Sequence, residues 1–477
     1  MNRVASVLVL LVLTAGQASA RPGAADIDLQ ESVDCPLPTI DDRCEVSTSP
    51  MRGQVFPLDV AASASRVFSA ITGGRVRGTD AATGAFSWET QLGAGVPGTF
   101  VTSVGVSPGG AGVFAGGTIG SSPTVTRLDP STGAIAWSTT VPGVRTAGGE
   151  LAVSADGKVV ALTGNDNDQG RITTIGFDAA TGDVLWRGDS DVPGSELVFG
   201  NTISPDGSTV FAVGQVTDPS TSRVDALVVA FRANETEERA DQAWVSTIDR
   251  GPWDVYFDAA VTPDGSTVFA TGSSDTSGGL GLGYSAEMIV VALSADDGSR
   301  RWVTARRGSA GYNEGASLAV SGDRIFVAGT SSSTQKEDES EAAVVAFDQS
   351  GNAVWTSLYG QLGVDDERFF GVVASPDGSK VFATGVSGTT PSVSGTSMRV
   401  GDAVTAAFSS STGAQLWAAR YRDPDNTGSR DAGIALAMSP DGSRVHVLAH
   451  LSTSRFSTDV PSVTSFRNEA AVLTYAA

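Results

Sequence analysis

Four carboxylates occupy one position of a repeating pattern. Each lies seven residues before the residue that precedes a Ser-Pro-Asp-Gly or Thr-Pro-Asp-Gly sequence: Glu196, Asp254, Glu367 and Asp431. In a related unit Asn313 holds this position and Glu314 follows it. Carboxylate oxygens are preferred Ca²⁺ ligands, and a ring of them attracts cationic partners. The pattern therefore indicates either a binding site for Ca²⁺ or a cationic partner, or acids that accept loop N–H bonds where strands begin.

Other catalytic signals are weak. The chain has two histidines, His446 and His450, and His446 stands where related units carry phenylalanine, which favours a packed residue over a base. No Gly-x-Ser-x-Gly elbow is present, and the glycines of 279–283 precede no helical pattern. We therefore predict a protein without a catalytic site, and expect no cofactor other than Ca²⁺.

The N-terminus has the pattern of an export signal. Arg3, the apolar run 7–13 and Ala18-Ser19-Ala20 predict a signal peptide over residues 1–20 and a secreted, extracellular or cell-surface protein. Cys35 and Cys44 are the only cysteines, and an oxidising compartment predicts a disulfide between them. The alternative is a pair of free thiols with a metal or redox role.

Charge restricts the partners. The chain carries 53 acidic and 31 basic residues, for a net charge of −22. Nucleic acid and anionic membranes require clustered Lys and Arg, so neither is expected. No stretch after the signal approaches the roughly 20 apolar residues of a membrane-spanning helix. We expect a monomer whose partner is an extracellular protein or glycan.

The positioning elements are repeats marked by tryptophan. Seven tryptophans recur at intervals of 49 to 62 residues, most of them about five residues after a Thr-Gly, Asp-Gly or Ser-Gly turn. They are Trp88, Trp137, Trp186, Trp244, Trp302, Trp355 and Trp417. We interpret them as packing residues between repeats and not as a sugar-stacking surface.

A second set of turns interleaves with the first. Asp-Gly turns at 156–157, 206–207, 264–265, 377–378 and 441–442 precede β-branched and aromatic runs. Eight such runs begin near Val67, Val113, Val159, Val210, Val268, Ile325, Val381 and Val445. Each unit thus has four short strands, A to D, with tryptophan on strand D. This pattern predicts an all-β propeller of eight four-stranded blades, or of seven if one blade is irregular.

The predicted domain organisation is simple. Residues 54–477 form one propeller domain, and residues 21–53 form an N-terminal segment with the two cysteines. The last unit ends on a C-type strand at Ala470–Tyr475, so its D strand must come from elsewhere. We predict that the N-terminal segment supplies it and closes the ring.

The repeats have a recognisable relative. Residues 129–137 and 178–186 resemble the tryptophan-docking repeat of pyrroloquinoline-quinone-type β-propellers, and residues 355–385 resemble repeats of bacterial cell-surface propellers. This resemblance covers about residues 54–476 and implies the fold. It implies little about function, because such repeats serve dehydrogenases, assembly scaffolds and binding proteins. Quinone-type dehydrogenases combine the fold with an active-site acid, a Ca²⁺ site and, in one branch, adjacent cysteines. The two cysteines of this chain are nine positions apart and lie outside the repeats, which argues against the quinone cofactor.

Two functions remain open at this stage. The first is a secreted, non-catalytic binding or scaffold protein that uses the variable B–C loops, predicted near 215–222, 273–284, 331–340, 387–400 and 451–466. The alternative is a propeller hydrolase or lyase with a carboxylate-bound metal in its central channel. A quinoprotein remnant that still docks its cofactor is a third possibility.

Overall fold

The described part of the chain is almost entirely β-strand. A computed structural model describes residues 47–51, 57–144, 149–234, 236–275, 286–307, 312–332, 340–360, 365–389, 392–393, 396–397, 400–421, 431–456 and 463–477. The predicted signal peptide and the Cys35–Cys44 disulfide lie outside these residues. Within them, no helix is of a length and apolarity that could cross a membrane.

Strand pairing divides the first half of the chain into four groups. Group 1 is β2 (Pro57–Ala62), β3 (Arg66–Ile71), β4 (Arg75–Asp80) and β5 (Phe86–Gln91). Group 2 is β6 (Phe100–Val106), β7 (Val113–Ile119), β8 (Ser122–Leu128) and β9 (Ile135–Thr140), with a 3₁₀ turn at Pro108–Gly110. Group 3 is β10 (Glu150–Val153), β11 (Val159–Asp166), β12 (Arg171–Asp178) and β13 (Val184–Asp189). Group 4 is β14 (Ser195–Ile203), β15 (Thr209–Thr217), β16 (Val224–Asn234) and β17 (Arg239–Ile248).

The second half forms four more groups. Group 5 is β18 (Trp253–Val261), β19 (Thr267–Asp275), β20 (Ala286–Ser294) and β21 (Arg300–Arg306). Group 6 is β22 (Asn313–Ser321), β23 (Arg324–Ser332), β24 (Ser340–Asp348) and β25 (Ala353–Tyr359). Group 7 is β26 (Asp365–Ala374), β27 (Lys380–Thr389), β30 (Val400–Ser409) and β31 (Gln415–Tyr421), with β28 (Ser392–Val393) and β29 (Thr396–Ser397) paired between them. Group 8 is β32 (Ala432–Met438), β33 (Arg444–Phe456), β34 (Val463–Ala476) and β1 (Ser47–Met51).

All pairs within a group are antiparallel. In group 8, β1 pairs with β34 in the register Ser47↔Thr474 to Met51↔Ala470. Single parallel bridges link groups 3 to 4, 4 to 5 and 6 to 7 at the ends of strands. These findings confirm the all-β class predicted from the turn spacing.

The first strand of each group contacts the first strand of the next. These contacts run from β2 through β6, β10, β14, β18, β22 and β26 to β32, and β32 also contacts β2. Most first strands contain a register shift that leaves one residue unpaired, such as Phe257 between Tyr256 and Asp258. Such bulges bend a strand and redirect its side chains.

The core lies between groups. One cluster combines Val228 and Trp244 of group 4 with Val268 and Val291 of group 5. Another joins Val60 and Val67 of group 1 to Leu448 and Val472 of group 8. Because each sheet buries both faces against neighbours, its middle strands are near-continuous runs of Val, Ala and Phe.

The strand-D tryptophans contact the next group. A Cβ added to the glycine of the following C–D turn would lie within 2.7 Å of the indole ring at five positions. These contacts are Gly133 on Trp88, Gly182 on Trp137, Gly298 on Trp244, Gly351 on Trp302 and Gly413 on Trp355. Trp186 lies buried in one cluster with Phe231, and the ring of Trp417 lies 5.6 Å from that of Tyr475, tilted by 37°. All seven repeat tryptophans thus lie at junctions between successive groups.

The A–B turns form hydrogen bonds within themselves. In the second turn of this kind, Asp206 accepts bonds from Ser204 Oγ at 2.6 Å and Ser208 N at 3.0 Å. Asp156, Asp264, Asp377 and Asp441 accept equivalent bonds in their own turns. These donors lower the pKa values of the turn aspartates, so this face presents short turns whose acids are already bonded.

The opposite face is uneven. Strand B lengthens from group 1 to group 8 in the series 6, 7, 8, 9, 9, 9, 10 and 13 residues. The loop predicted at 451–466 is wrong in part, because β33 and β34 continue to pair as far as Phe456↔Val463. Thr, Val and Phe in this stretch favour strand over loop. The result is a two-stranded extension of group 8 formed by residues 452–456 and 463–468, here called the projecting hairpin.

Candidate functional site

The predicted acids are buried at the starts of first strands. Glu196 accepts a 2.5 Å bond from Ser190 Oγ and a longer one from Ile172 N, which belongs to the preceding group. Burial raises the pKa of Glu196, and these bonds oppose the shift. Glu196 therefore lies at a junction between groups 3 and 4, bonded to the loop that enters its strand.

Glu367 and Asp431 are placed in a similar way. Ser387 Oγ donates to Glu367 Oε1 at 3.2 Å, and the guanidinium of Arg420, on the last strand of the same group, is 4.0 Å from the same oxygen. The Asp431 backbone N–H donates to the Gly401 carbonyl of the preceding group at 2.7 Å. Both side chains are fully buried.

Glu314 has a different environment. It is half-buried, and the Tyr312 hydroxyl donates to its Oε2. Burial raises its pKa, while this bond and the charge of Arg368 on the next first strand lower it. The structure thus places Glu314 between groups 6 and 7.

Only one of the predicted acids joins a carboxylate cluster. Among the described residues, one set of three offers ligand atoms that all lie within 4.8 Å of one another: Asp225, Asp249 and Asp254. Sequence reasoning missed both Asp225 and Asp249. Asp225 stands five residues before the strand-C alanine that pairs with the repeat tryptophan, a position where groups 5 to 7 carry Glu287, Glu341 and Asp402. Asp225 lies on β16, Asp249 follows β17, and Asp254 lies on β18, so the cluster spans the junction of groups 4 and 5.

Backbone donors fix the orientation of Asp254. Its Oδ2 accepts bonds from Arg250 N at 2.7 Å and Gly251 N at 3.1 Å, and the residue is fully buried. Its Oδ1 has no hydrogen-bond partner in the described part of the chain. The Ser274 hydroxyl lies near enough to lower the pKa that burial raises, but Ser274 Oγ also lacks a partner.

A guanidinium group lies beside the other two carboxylates. Arg223 Nη2 donates to Asp249 Oδ1 and to the Gly251 carbonyl, the latter at 2.8 Å. Asp225 Oδ1 is buried and has no partner among the described residues. Burial and the charges of Asp249 and Asp254 raise the pKa of Asp225. One arginine therefore faces three carboxylates.

A second set of acids lies on first strands. Asp59 Oδ2 accepts bonds from Ser103 Oγ at 2.9 Å and Val104 N at 2.8 Å, both on the next first strand. Asp258 makes the same pair of bonds to Ser317 and Leu318. Glu150 occupies the equivalent register position in group 3, where Val153 pairs with Val160 as Val261 pairs with Val268. Burial raises the pKa of Glu150, and the charges of Asp59 and Asp258 raise it further.

Asp59 yields a pH prediction. Burial raises its pKa from 3.8 to about 6, so the folded state binds this proton more tightly than the unfolded state. Its contribution to stability is therefore full below pH 4 and is lost as pH rises through 6. Because the side chain is half-buried, we expect a loss on the order of 1–2 kcal/mol. Chemical denaturation of wild type and Asp59→Asn between pH 4 and 7 measures it, and equal slopes for the two proteins would contradict the assignment.

Comparison with known protein families finds a match for part of the chain. The family model described as outer membrane protein assembly factor BamB matches residues 72–244. This match confirms the predicted resemblance, and residues 72–244 are similar to the pyrroloquinoline-quinone-type repeats of that family.

Two solved structures resemble the chain at low sequence identity. BamB from Moraxella catarrhalis is 15% identical, with a TM-score of 0.48, and the match covers 89% of this chain and 99% of that one. The Dos1 propeller is 12% identical, with a TM-score of 0.45, and the match covers 67% of this chain and 72% of that one. No curated protein sequence matches the chain.

Proposed function

We propose that this protein is a secreted, non-catalytic propeller that binds a protein or glycan partner through its uneven face. The residue pattern of 1–20 supports secretion. Rigid sheets that carry loops of unequal length suit a binding or scaffold role.

The proposal includes a closed ring of eight blades. The cyclic contacts of the first strands and the pairing of β1 with β34 support it, because both connect group 8 to group 1 or to the N-terminal segment. Closure by both chain ends would leave fewer exposed strand edges, which otherwise invite aggregation.

The observation that carries the binding role is the increase in the length of strand B from group 1 to group 8. Strands β3 and β33 begin at equivalent positions, one residue before Val67 and Val445, so the seven additional residues of β33 all extend from one face. At about 3.3 Å per residue, this is a difference of about 23 Å. Group 8 contacts group 1, so this difference in strand length would form a step between the projecting hairpin and group 1.

The positions of the acids support the absence of catalysis. Asp59 and Asp258 use their carboxylates to bond the next first strand, and Glu196 uses its carboxylate to bond a loop. Groups committed to structural hydrogen bonds are poorly suited to act as bases or nucleophiles. This arrangement favours the binding protein over the hydrolase or lyase.

Shortening the projecting hairpin tests this function. Leu451 and Glu469 are a paired position, so residues 452–468 can be replaced by an Asn-Gly turn. We expect an unchanged thermal midpoint, because group 8 keeps its inner pairs, and at least a tenfold loss of binding. The measurement is retention of envelope proteins and glycan fractions from the source organism by immobilised wild type and variant.

Asp206→Asn, a change on the opposite face, is the matched control and should retain the same partners as wild type. Equal retention by the hairpin variant would contradict the role of this face. Hydrolysis of a glycan or ester panel by wild type would contradict the non-catalytic role.

A further inference from the structure

We propose that Asp225, Asp249 and Asp254 form a Ca²⁺ site that fastens group 4 to group 5. The inference concerns these three residues and does not depend on the proposed partner or on the uneven face. It differs from the predicted ring of acids, because two of the three ligands come from outside the repeated position.

The spacing of the oxygens fits the ion. Ca–O distances of 2.3–2.6 Å place opposite ligands about 4.6–5.2 Å apart and adjacent ligands closer. The ligand atoms of the three aspartates all lie within 4.8 Å of one another. All three donors are hard carboxylate oxygens, which favour Ca²⁺ over softer metals such as Zn²⁺.

Two buried carboxylate oxygens of this cluster have no hydrogen-bond partner within the part of the chain that the structure describes. Asp254 Oδ1 belongs to a fully buried residue whose other oxygen is held by two backbone N–H groups. Asp225 Oδ1 is likewise buried without a partner among the described residues. Buried polar atoms are nearly always paired, and these two carboxylate oxygens in one cluster are placed to ligate a cation.

The charge balance leaves room for a divalent ion. Three carboxylates carry −3, and Arg223 contributes +1 through its contacts with Asp249 and the Gly251 carbonyl. The remaining −2 equals the charge of Ca²⁺. Water would complete the six to eight oxygens that the ion requires.

The three ligands come from two groups. Asp225 belongs to group 4, Asp254 to group 5, and Asp249 to the connection between them. Strands β16 and β18 already meet at one parallel bridge, Val224↔Trp253. An ion here would hold this junction closed, so its binding should raise thermal stability.

Calorimetric titration of the mature protein with CaCl₂ tests the site. We expect saturable binding with one ion per chain, a Kd of about 0.1–1 mM as in extracellular modules, and a higher Tm in Ca²⁺ than in chelator. Asp249→Asn should weaken binding at least tenfold, and this half-exposed residue can change without disturbing the core. Asp296→Asn removes the same charge from an exposed residue with 91% side-chain exposure and should bind as wild type does.

Arg223→Gln separates an ion site from a simple ion-pair network. Removal of the competing guanidinium should tighten Ca²⁺ binding several-fold if the carboxylates hold the ion. The proposal is overturned if wild type shows no saturable binding up to 10 mM Ca²⁺, or if Asp249→Asn and Arg223→Gln both leave the Kd unchanged.

Discussion

Replacing Gly133 by alanine is expected to lower the free energy of unfolding by about 3 kcal/mol. Gly133 has φ = +71°, a conformation that costs an alanine on the order of 1 kcal/mol. The new Cβ would also lie 2.4 Å from Trp88 Cε3, and overpacking of this kind costs about 1–3 kcal/mol. Trp88 cannot move freely, because it is buried and its Nε1 donates to the Pro130 carbonyl at 3.1 Å.

Gly109 provides a matched control. Its φ is +78°, and nothing lies within 4 Å of an added Cβ. Gly109→Ala should therefore show only the conformational cost, about 1 kcal/mol. Urea denaturation of both variants isolates the contact with tryptophan. Equal losses in the two variants would mean that the glycine–tryptophan contact does not stabilise the junction.

Replacing His446 by phenylalanine is expected to reduce the acid-induced fall in the free energy of unfolding by about 3 kcal/mol. His446 is fully buried, and burial lowers its pKa from 6.5 to about 4. The unfolded chain therefore takes up a proton before the folded protein does. The stability associated with neutral His446 is full above pH 6.5 and is lost as pH falls toward 4. A shift of this size corresponds to about 3 kcal/mol.

Phenylalanine fits this position in six other groups, at Phe68, Phe114, Phe211, Phe269, Phe326 and Phe382. We therefore expect His446→Phe to fold and to flatten the fall in unfolding free energy between pH 6.5 and 4. Thr474→Val is the control, because it removes the 2.9 Å bond to Nδ1 but keeps the buried imidazole. Thr474→Val should keep the wild-type slope, and a wild-type slope in His446→Phe would refute the explanation.

The fold was largely predictable because its repeats are marked by residues with strict geometric roles. Turn glycines and tryptophans each specify one contact, as Gly133 and Trp88 show. Loop lengths were less predictable. Residues 452–456 and 463–468 mix Thr, Val and Phe, which favour strand, with Ser, Arg and Asn, which do not, so composition did not show how far their pairing extends.

The candidate site was predicted only in part. Spacing located Asp254 at the start of its strand but could not show that its side chain lies against group 4. Side-chain direction there depends on backbone N–H groups of Arg250 and Gly251. Asp225 shares its strand-C position with acids of groups 5 to 7, but its proximity to Asp249 arises from the junction of two sheets, which spacing does not show. Asp59, Glu150 and Asp258 each lie three residues before the last paired residue of their first strand, a shared position that the acids seven residues before the turn drew attention away from.

The pairing of β1 with β34 has a consequence for biogenesis. Ser47 and Thr474 are about 430 residues apart, so this sheet cannot be completed until almost the whole chain has been synthesised. Groups 1 to 7 can each pair their own strands earlier, while β1 must wait without its partner. An exported chain would therefore complete its fold after translocation, and a nascent chain stalled before β34 would present an unpaired strand to chaperones and proteases.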